Sequence, residues 1–213
     1  MSQINNVIIA AALATLGFTA HAADSKTKKE AAKAAAPVAN SAGKYSIDPA
    51  HSKVGFEVTH LVIASVEGRF DKFEGDIEIG EKFADSKVSA TIDTASIDTA
   101  NDDRNKHLKS PDFFDAAKYP KMTFKSKKIT GTPENFKVTG DLTIKDVTKE
   151  VTLDGKFLGT VKDAYGNTRG AFNASGKINR QDYNLKWNKA VEAGPMVGDE
   201  VTINLKVEGI KAK

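Results

Sequence analysis

The chain has 213 residues, 40% of them hydrophobic and 28% charged, with a formal net charge of +3. That balance predicts a soluble domain large enough for a real core, and it lacks the basic excess of a nucleic-acid footprint. There is no cysteine, which excludes disulfides, thiolate catalysis and cysteine-ligated metals.

Val7 to Phe18 is an apolar run too short to span a bilayer. It ends at Ala20-His21-Ala22, an A-x-A cleavage pattern. This predicts a secretory signal peptide over residues 1–23, cut after Ala22 or Ala23, although its start, MSQINN, has no Lys or Arg. No stable membrane anchor is expected after cleavage. Residues 24–43 are Ala- and Lys-rich, with Val38 the only large apolar side chain. Such a segment buries too little surface to offset its own ordering entropy, and a flexible tether is expected.

From Tyr45 onward, period-2 alternation dominates. Val54, Phe56, Val58 and His60 share one face. Val66, Gly68 and Phe70 follow, then Phe73, Gly75, Ile77 and Ile79, with Asp71-Lys72 between them as a bulge rather than a full turn. Val88, Ala90, Ile92 and Thr94 form the next inward face. Beyond an insertion come Met122 and Phe124, a turn at residues 131–135, and Phe136, Val138, Gly140, Leu142 and Ile144. Lys145-Asp146 turns the chain into Val151 to Val161, and Asp163 to Asn167 turns it into Gly170 to Ile178. An irregular stretch around Trp187 precedes the closing run Val201 to Gly209.

Eight or nine strands joined by hairpin-length connections predict an all-β sandwich or up-and-down barrel. Many inward positions are Gly or Ala, including Gly68, Gly75, Gly140, Gly155 and Gly176. Two readings of these remain open: they leave space for a ligand, or they only ease curvature.

Ser96 to Phe124 breaks the alternation. Asp98, Asp102, Asp103, Arg104, Asn105, Lys106 and His107 cluster there, followed by Phe113 and Phe114. Asn101 or Asp102 is placed to N-cap a short helix through Leu108, and Ser110-Pro111 to start a second turn. The insertion either lines a cavity or plugs one barrel end. Asp103 and His107 share a helix face but lack further ligands in sequence reach, and no G-x-S-x-G elbow is present. No catalytic or metal role is therefore expected.

Five ordered blocks carry a resemblance: YSIDPAHSKVGFEVTHL from Tyr45, VEGRFDKFEGDI from Val66, ASIDTANDDRNKHLKSPDFFDAAKYPKMTF from Ala95, VTGDLTIKDVTKEVTL from Val138 and INRQDYNLKWN from Ile178. Over residues 44–213 the chain resembles the YceI-like family of bacterial periplasmic proteins. It departs from the family's pattern at Lys145-Asp146 and at Asn105. The resemblance implies a lipocalin-like antiparallel eight-stranded β-barrel with a short helical insertion after the fourth strand. It also implies a periplasmic, non-catalytic protein that carries or sequesters an isoprenoid lipid or quinone, with no cofactor and with homodimers as one oligomeric form. The alternative is an envelope scaffold whose barrel is filled.

A prenyl tail needs a long apolar tunnel, since each buried CH₂ contributes about 0.8 kcal/mol. The expected lining is Phe56, Val58, Phe70, Phe73, Ile92, Phe113, Phe114, Met122, Phe124, Leu142, Ile144, Phe157, Phe172 and Trp187. A quinone or pyrophosphate head needs donors or cations, for which His60, Arg69, Arg104, His107 and Arg180 are the candidates. The competing reading of Arg104 is an ion pair with Asp98, and of Arg180 one with Asp182 or Glu192.

Overall fold

The computed structural model describes residues 41–213. The expected signal peptide and nearly all of the expected tether lie outside the described residues. The first strand, β1 (Gly43–Ile47), is followed by a single 3₁₀ turn at Pro49–His51 and then β2 (Lys53–His60). Asp48 makes this bend: its carboxylate accepts from the Ala50 N–H at 3.0 Å, and Pro49 fits the first helical position. β3 (Ala64–Phe70) and β4 (Phe73–Ile79) are interrupted only by Asp71-Lys72, a bend rather than a full turn.

Strands β5 (Lys87–Asp93) and the two-residue β6 (Ile97–Asp98) lead into α1 (Asp102–Lys109). The meander then runs through β7 (Lys121–Thr132), β8 (Asn135–Ile144), β9 (Val147–Lys162) and β10 (Thr168–Asn179). A small hairpin, β11 (Ala190–Val191) and β12 (Gly194–Pro195), precedes the last strand, β13 (Val197–Lys211).

Every sheet pairing is antiparallel. β13 explains the closure. Its first half pairs with β2, from Val201 opposite Val58 to Lys206 opposite Lys53. Its end pairs with β1, Gly209 opposite Ile47 and Lys211 opposite Tyr45. Thus β1 and β2 are two segments of one bent stave. β3 and β4 form the next, pairing with β2 and β1 respectively. With β5, β7, β8, β9, β10 and β13 the staves number eight, in a closed antiparallel barrel.

Strand β8 shows why the sequence folds this way. Its residues alternate strictly, with Phe136, Val138, Gly140, Leu142 and Ile144 buried and their neighbours more exposed. Period-2 patterning places one set inside and leaves Lys137, Thr139, Asp141 and Thr143 for the outer face. The core falls into two groups along the barrel. One holds Tyr45, Ile79, Phe83, Phe136, Phe157 and Phe172. The other holds Phe70, Ile97, Phe113, Met122, Tyr183 and Leu185.

The helical insertion follows β5, and Thr94 ties both of its ends. The Thr94 N–H donates to Pro120 O at 3.0 Å and its hydroxyl to Tyr119 O at 2.7 Å. Asn101, rather than Asp102, caps α1: its side chain accepts from the Arg104 N–H at 2.9 Å. Ser110 behaves differently from expectation. The second turn does follow it, over residues 111–114, but Ser110 closes α1, its N–H bonding His107 O, and does not cap that turn with its side chain. Its carbonyl, not its hydroxyl, accepts from Phe113 and Asp115.

The inward glycines also differ from one of the two readings. They are seats for large neighbours. A Cβ on Gly155 would lie 2.3 Å from the Phe136 ring directly opposite, and one on Gly68 2.3 Å from the Phe56 ring. At Gly140 the Phe124 ring fills the place, and at Gly176 Leu153. These glycines allow tight cross-strand packing and leave no room of their own.

Candidate functional site: the barrel cavity

The barrel is nevertheless hollow. An interior cavity offers about 280 Å³ to the centres of water-sized molecules. One water needs roughly 10–15 Å³ by that measure, so the space suits a chain-like molecule rather than an isolated solvent. The wall is almost wholly carbon. Such a surface offers no hydrogen bonds, and burying an unpaired polar group against it costs about 1–3 kcal/mol.

Both core groups contribute to the wall. Ile77, Ile79, Phe83, Phe136, Val138 and Phe172 supply one end. Phe70, Ile92, Phe113, Met122, Leu142, Ile144 and Leu185 supply the other. Within the insertion, Leu108, Phe113 and Phe114 reach the wall. Phe114 stands edge-on to Phe70 at 5.7 Å, and Phe70 in turn contacts Phe56 at 5.8 Å. The insertion therefore forms part of the lining.

All of the lining residues expected from sequence are on the wall except Phe157 and Trp187. Phe157 is 2% exposed but packs against Phe172, with ring centroids 4.8 Å apart. A register shift between Ala171 and Phe172 sets Phe157 opposite Phe172, and this pairs the rings within the core. Trp187 sits behind Phe113, 5.3 Å from it, with His107 at 4.8 Å on its edge. It buttresses the wall without joining it. Residues such as Ile77, Phe136, Val138, Leu153, Ile203 and Leu205 line the cavity too. Their signal was the same inward alternation, which these positions carried as clearly as the residues chosen.

Among the five head-group candidates, only Arg180 touches the cavity. It is 4% exposed, and its guanidinium is fully occupied. Nε donates to Gly198 O at 2.8 Å, and Nη1 to Leu185 O and to Trp187 O at 2.9 Å. Nη2 donates to Val197 O at 3.3 Å and to Asp199 at 2.9 Å. All five donors are thus used. The carboxylate partner is Asp199, not Asp182 or Glu192. Burial lowers the Arg180 pKa, and Asp199 opposes that shift. Arg180 stitches the irregular 185–199 segment onto the barrel end.

The other candidates lie elsewhere. Arg69 pairs on the outer face with Asp71 at 2.7 Å and Asp98 at 2.8 Å. Arg104 donates to the Thr99 hydroxyl and carbonyl at 2.8 and 2.6 Å, so it does not take Asp98. Asp98 instead accepts from the Ala100 N–H and the Asn105 amide, which lower its pKa together with Arg69. His107 bonds Asp112 at 2.9 Å and is not directed at Asp103. His60, half-buried at the end of β2, is outside the lining. Tyr183, 1% exposed, has its hydroxyl pKa pushed up to about 12 by burial.

A second polar centre lies at the opposite barrel end and was not singled out from sequence. Arg169 binds Asp163 at 2.8 Å, Asp48 at 2.8 Å and Glu208 at 2.6 Å. His51 adds a contact to Asp48 at 2.8 Å. Asp48, His51 and Glu208 are close enough to hold a cation, yet the Arg169 guanidinium already bridges the two carboxylates. It ties the β1–β2 bend, the β9–β10 turn and β13 together.

The comparisons agree with this architecture. The YceI-like domain model matches residues 45–209. Protein YceI of Escherichia coli is 40% identical over 175 residues, covering 81% of this chain and 89% of that protein. A crystal structure of the Campylobacter jejuni YCEI protein superposes with a TM-score of 0.61 at 34% identity, over 78% of this chain and 96% of the other. A polyisoprenoid binding domain from Saccharophagus degradans, implicated in plant cell wall breakdown, shares the fold with a TM-score of 0.58 at 19% identity. It covers 79% of this chain and 98% of that one. The chain belongs to the YceI-like family.

Proposed function

We propose that the barrel binds a long-chain isoprenoid lipid and carries or sequesters it in the periplasm, without catalysis. The observation that supports this most is the cavity: chain-sized, contiguous and walled by carbon. A five-carbon prenyl unit buried there gains about 4 kcal/mol gross, from roughly 0.8 kcal/mol per carbon. Part of that is offset by the lost freedom of ligand and protein. Tail burial alone therefore suffices for tight retention. The polyisoprenoid-binding character of a fold neighbour supports the same ligand class.

Among the polar residues that line the cavity, Arg180 is fully engaged, and Ser86 and the exposed Lys87 are the others. In this reading the head stays in solvent at a barrel end, and selectivity rests on the tail. A scaffold role would call for a barrel filled by its own side chains, which the cavity disfavours. The test is native mass spectrometry on protein recovered from the periplasm, followed by organic extraction. A near-stoichiometric prenyl species is expected. A bare protein mass, with no uptake of added prenyl lipids, overturns the proposal.

A further inference from the structure

The turn joining β2 to β3 is made of residues that a turn does not favour. Leu61 (φ 51°) and Val62 (φ 67°) both lie in the left-handed region. Hairpins of this kind usually place Asn or Gly there, and a β-branched residue in that conformation is strained. The next residue, Ile63, is 90% exposed, and Val62 is 54% exposed. No charged residue occurs from Leu61 to Val66. An apolar tip facing water, held in an unfavourable backbone, is costly unless something covers it.

Its position suggests what covers it. The tip extends β2, whose Phe56 and Val58 are on the cavity wall. The Leu61 N–H donates to Met196 O at 2.9 Å, immediately before Val197, another wall residue. The Val62 side chain rests over Gly194 of the small β11–β12 hairpin, 3.3 Å from where a Cβ would stand. Between residues 184 and 198 the charges are Lys186 and Lys189, both exposed, against the single acid Glu192. The tip, the hairpin and one cavity end thus form one surface with an apolar point and a slight cationic excess.

We propose that this surface docks on an anionic bilayer. Val62 and Ile63 enter the interfacial region, and Lys186 and Lys189 face the lipid head groups. The proposal rests on the reading of the cavity as a lipid site, because a cargo of that kind partitions into membranes. Docking here brings the cavity end to the cargo's source. A second exposed apolar group, Leu158, Val161 and Tyr165, lies around the β9–β10 turn at the opposite end, where Tyr45 and Phe157 pack in the core off the cavity wall.

The absence of cysteine permits a direct test on the full chain. Ile63→Cys and, separately, Tyr165→Cys are labelled with an environment-sensitive dye. Each is mixed with vesicles of phosphatidylethanolamine and phosphatidylglycerol. A blue shift at position 63 and none at 165 is expected, and Ile63→Asp should weaken vesicle co-sedimentation roughly tenfold. No shift at 63, or equal shifts at both positions, overturns the proposal. So does a shift at 63 that appears without vesicles and grows with protein concentration, the signature of a second copy. Circular dichroism on Ile63→Asp and Ile63→Ser separates lost docking from lost folding. Extraction of the same samples separates the two proposals. Retained prenyl lipid without vesicle binding overturns docking alone, and vesicle binding by an empty barrel overturns the carrier reading while docking stands.

Discussion

The two barrel ends are each fastened by one arginine, and they are fastened differently. Arg169 is held by three carboxylates in a partly exposed site. Arg180 is buried and held by four carbonyls and one carboxylate. Carbonyls do not titrate, whereas carboxylates do. The end around Arg169 is therefore sensitive to acid, and the end around Arg180 is sensitive to loss of the side chain itself. Regular hairpins meet at the first end. At the second, the chain follows no period and needs a multidentate cation to hold it.

Mutation at Arg180 should give the largest effect. Arg180→Met leaves its carbonyl acceptors without partners in a buried site, and a loss of about 3–5 kcal/mol is expected in urea unfolding. A loss below about 1 kcal/mol would mean that the 185–199 segment holds itself without the arginine. Phe114→Asp sets a carboxylate against the cavity wall from a half-buried position. Lipid retention should fall about tenfold or more, while the melting temperature drops by only a few degrees. Equal losses in extraction and melting assays would make Phe114 a core residue first.

At the other end, Gly155→Ala drives a methyl into the Phe136 ring. Overpacking of this kind costs about 1–3 kcal/mol, to be read from thermal melts. The smallest effect is the pH response. Arg169 holds the Asp163 and Asp48 carboxyls below the usual carboxylate range, His51 adding to the shift at Asp48. A folded-state pKa below the unfolded one gives stability that is complete above about pH 4 and lost as pH falls through the folded value. Melting temperature should therefore fall on acidification below about pH 4, with a shallower slope in Arg169→Met. Parallel slopes would place the acid sensitivity elsewhere.

The barrel was legible because alternation is a local signal. β8 could be read residue by residue, and the interruption at Asp71-Lys72 was visible as a break in phase. The glycines stayed ambiguous for a reason outside the strand that holds them. Whether Gly155 leaves a gap depends on Phe136 across the ladder, and such pairing is a property of register. The head-group candidates show a similar limit. Arg180 was read as a head-group donor or as a partner of Asp182 or Glu192, yet its partners come from residues 185–199, whose course no periodicity predicts. Arg169 went unnoticed because Asp48, Asp163 and Glu208 are far apart in sequence and meet only once the barrel closes. Trp187 and Phe157 are bulky, and bulk was taken for lining. A register shift and the stacking against His107 and Phe113 decided otherwise.

The pairing of β1 with β13 has a kinetic consequence. Tyr45 meets Lys211, so the ring of strands is completed only by contacts between the two ends of the domain. Hairpins along the meander form locally and early, whereas this seam must wait for the slowest loop to close. Val197, Val201, Ile203, Leu205 and Val207 all belong to the final strand, and all face the interior. A chain still emerging from the ribosome therefore has no chamber to fill. On the proposed reading, a lipid enters only a finished barrel, and its loading is a separate event from synthesis.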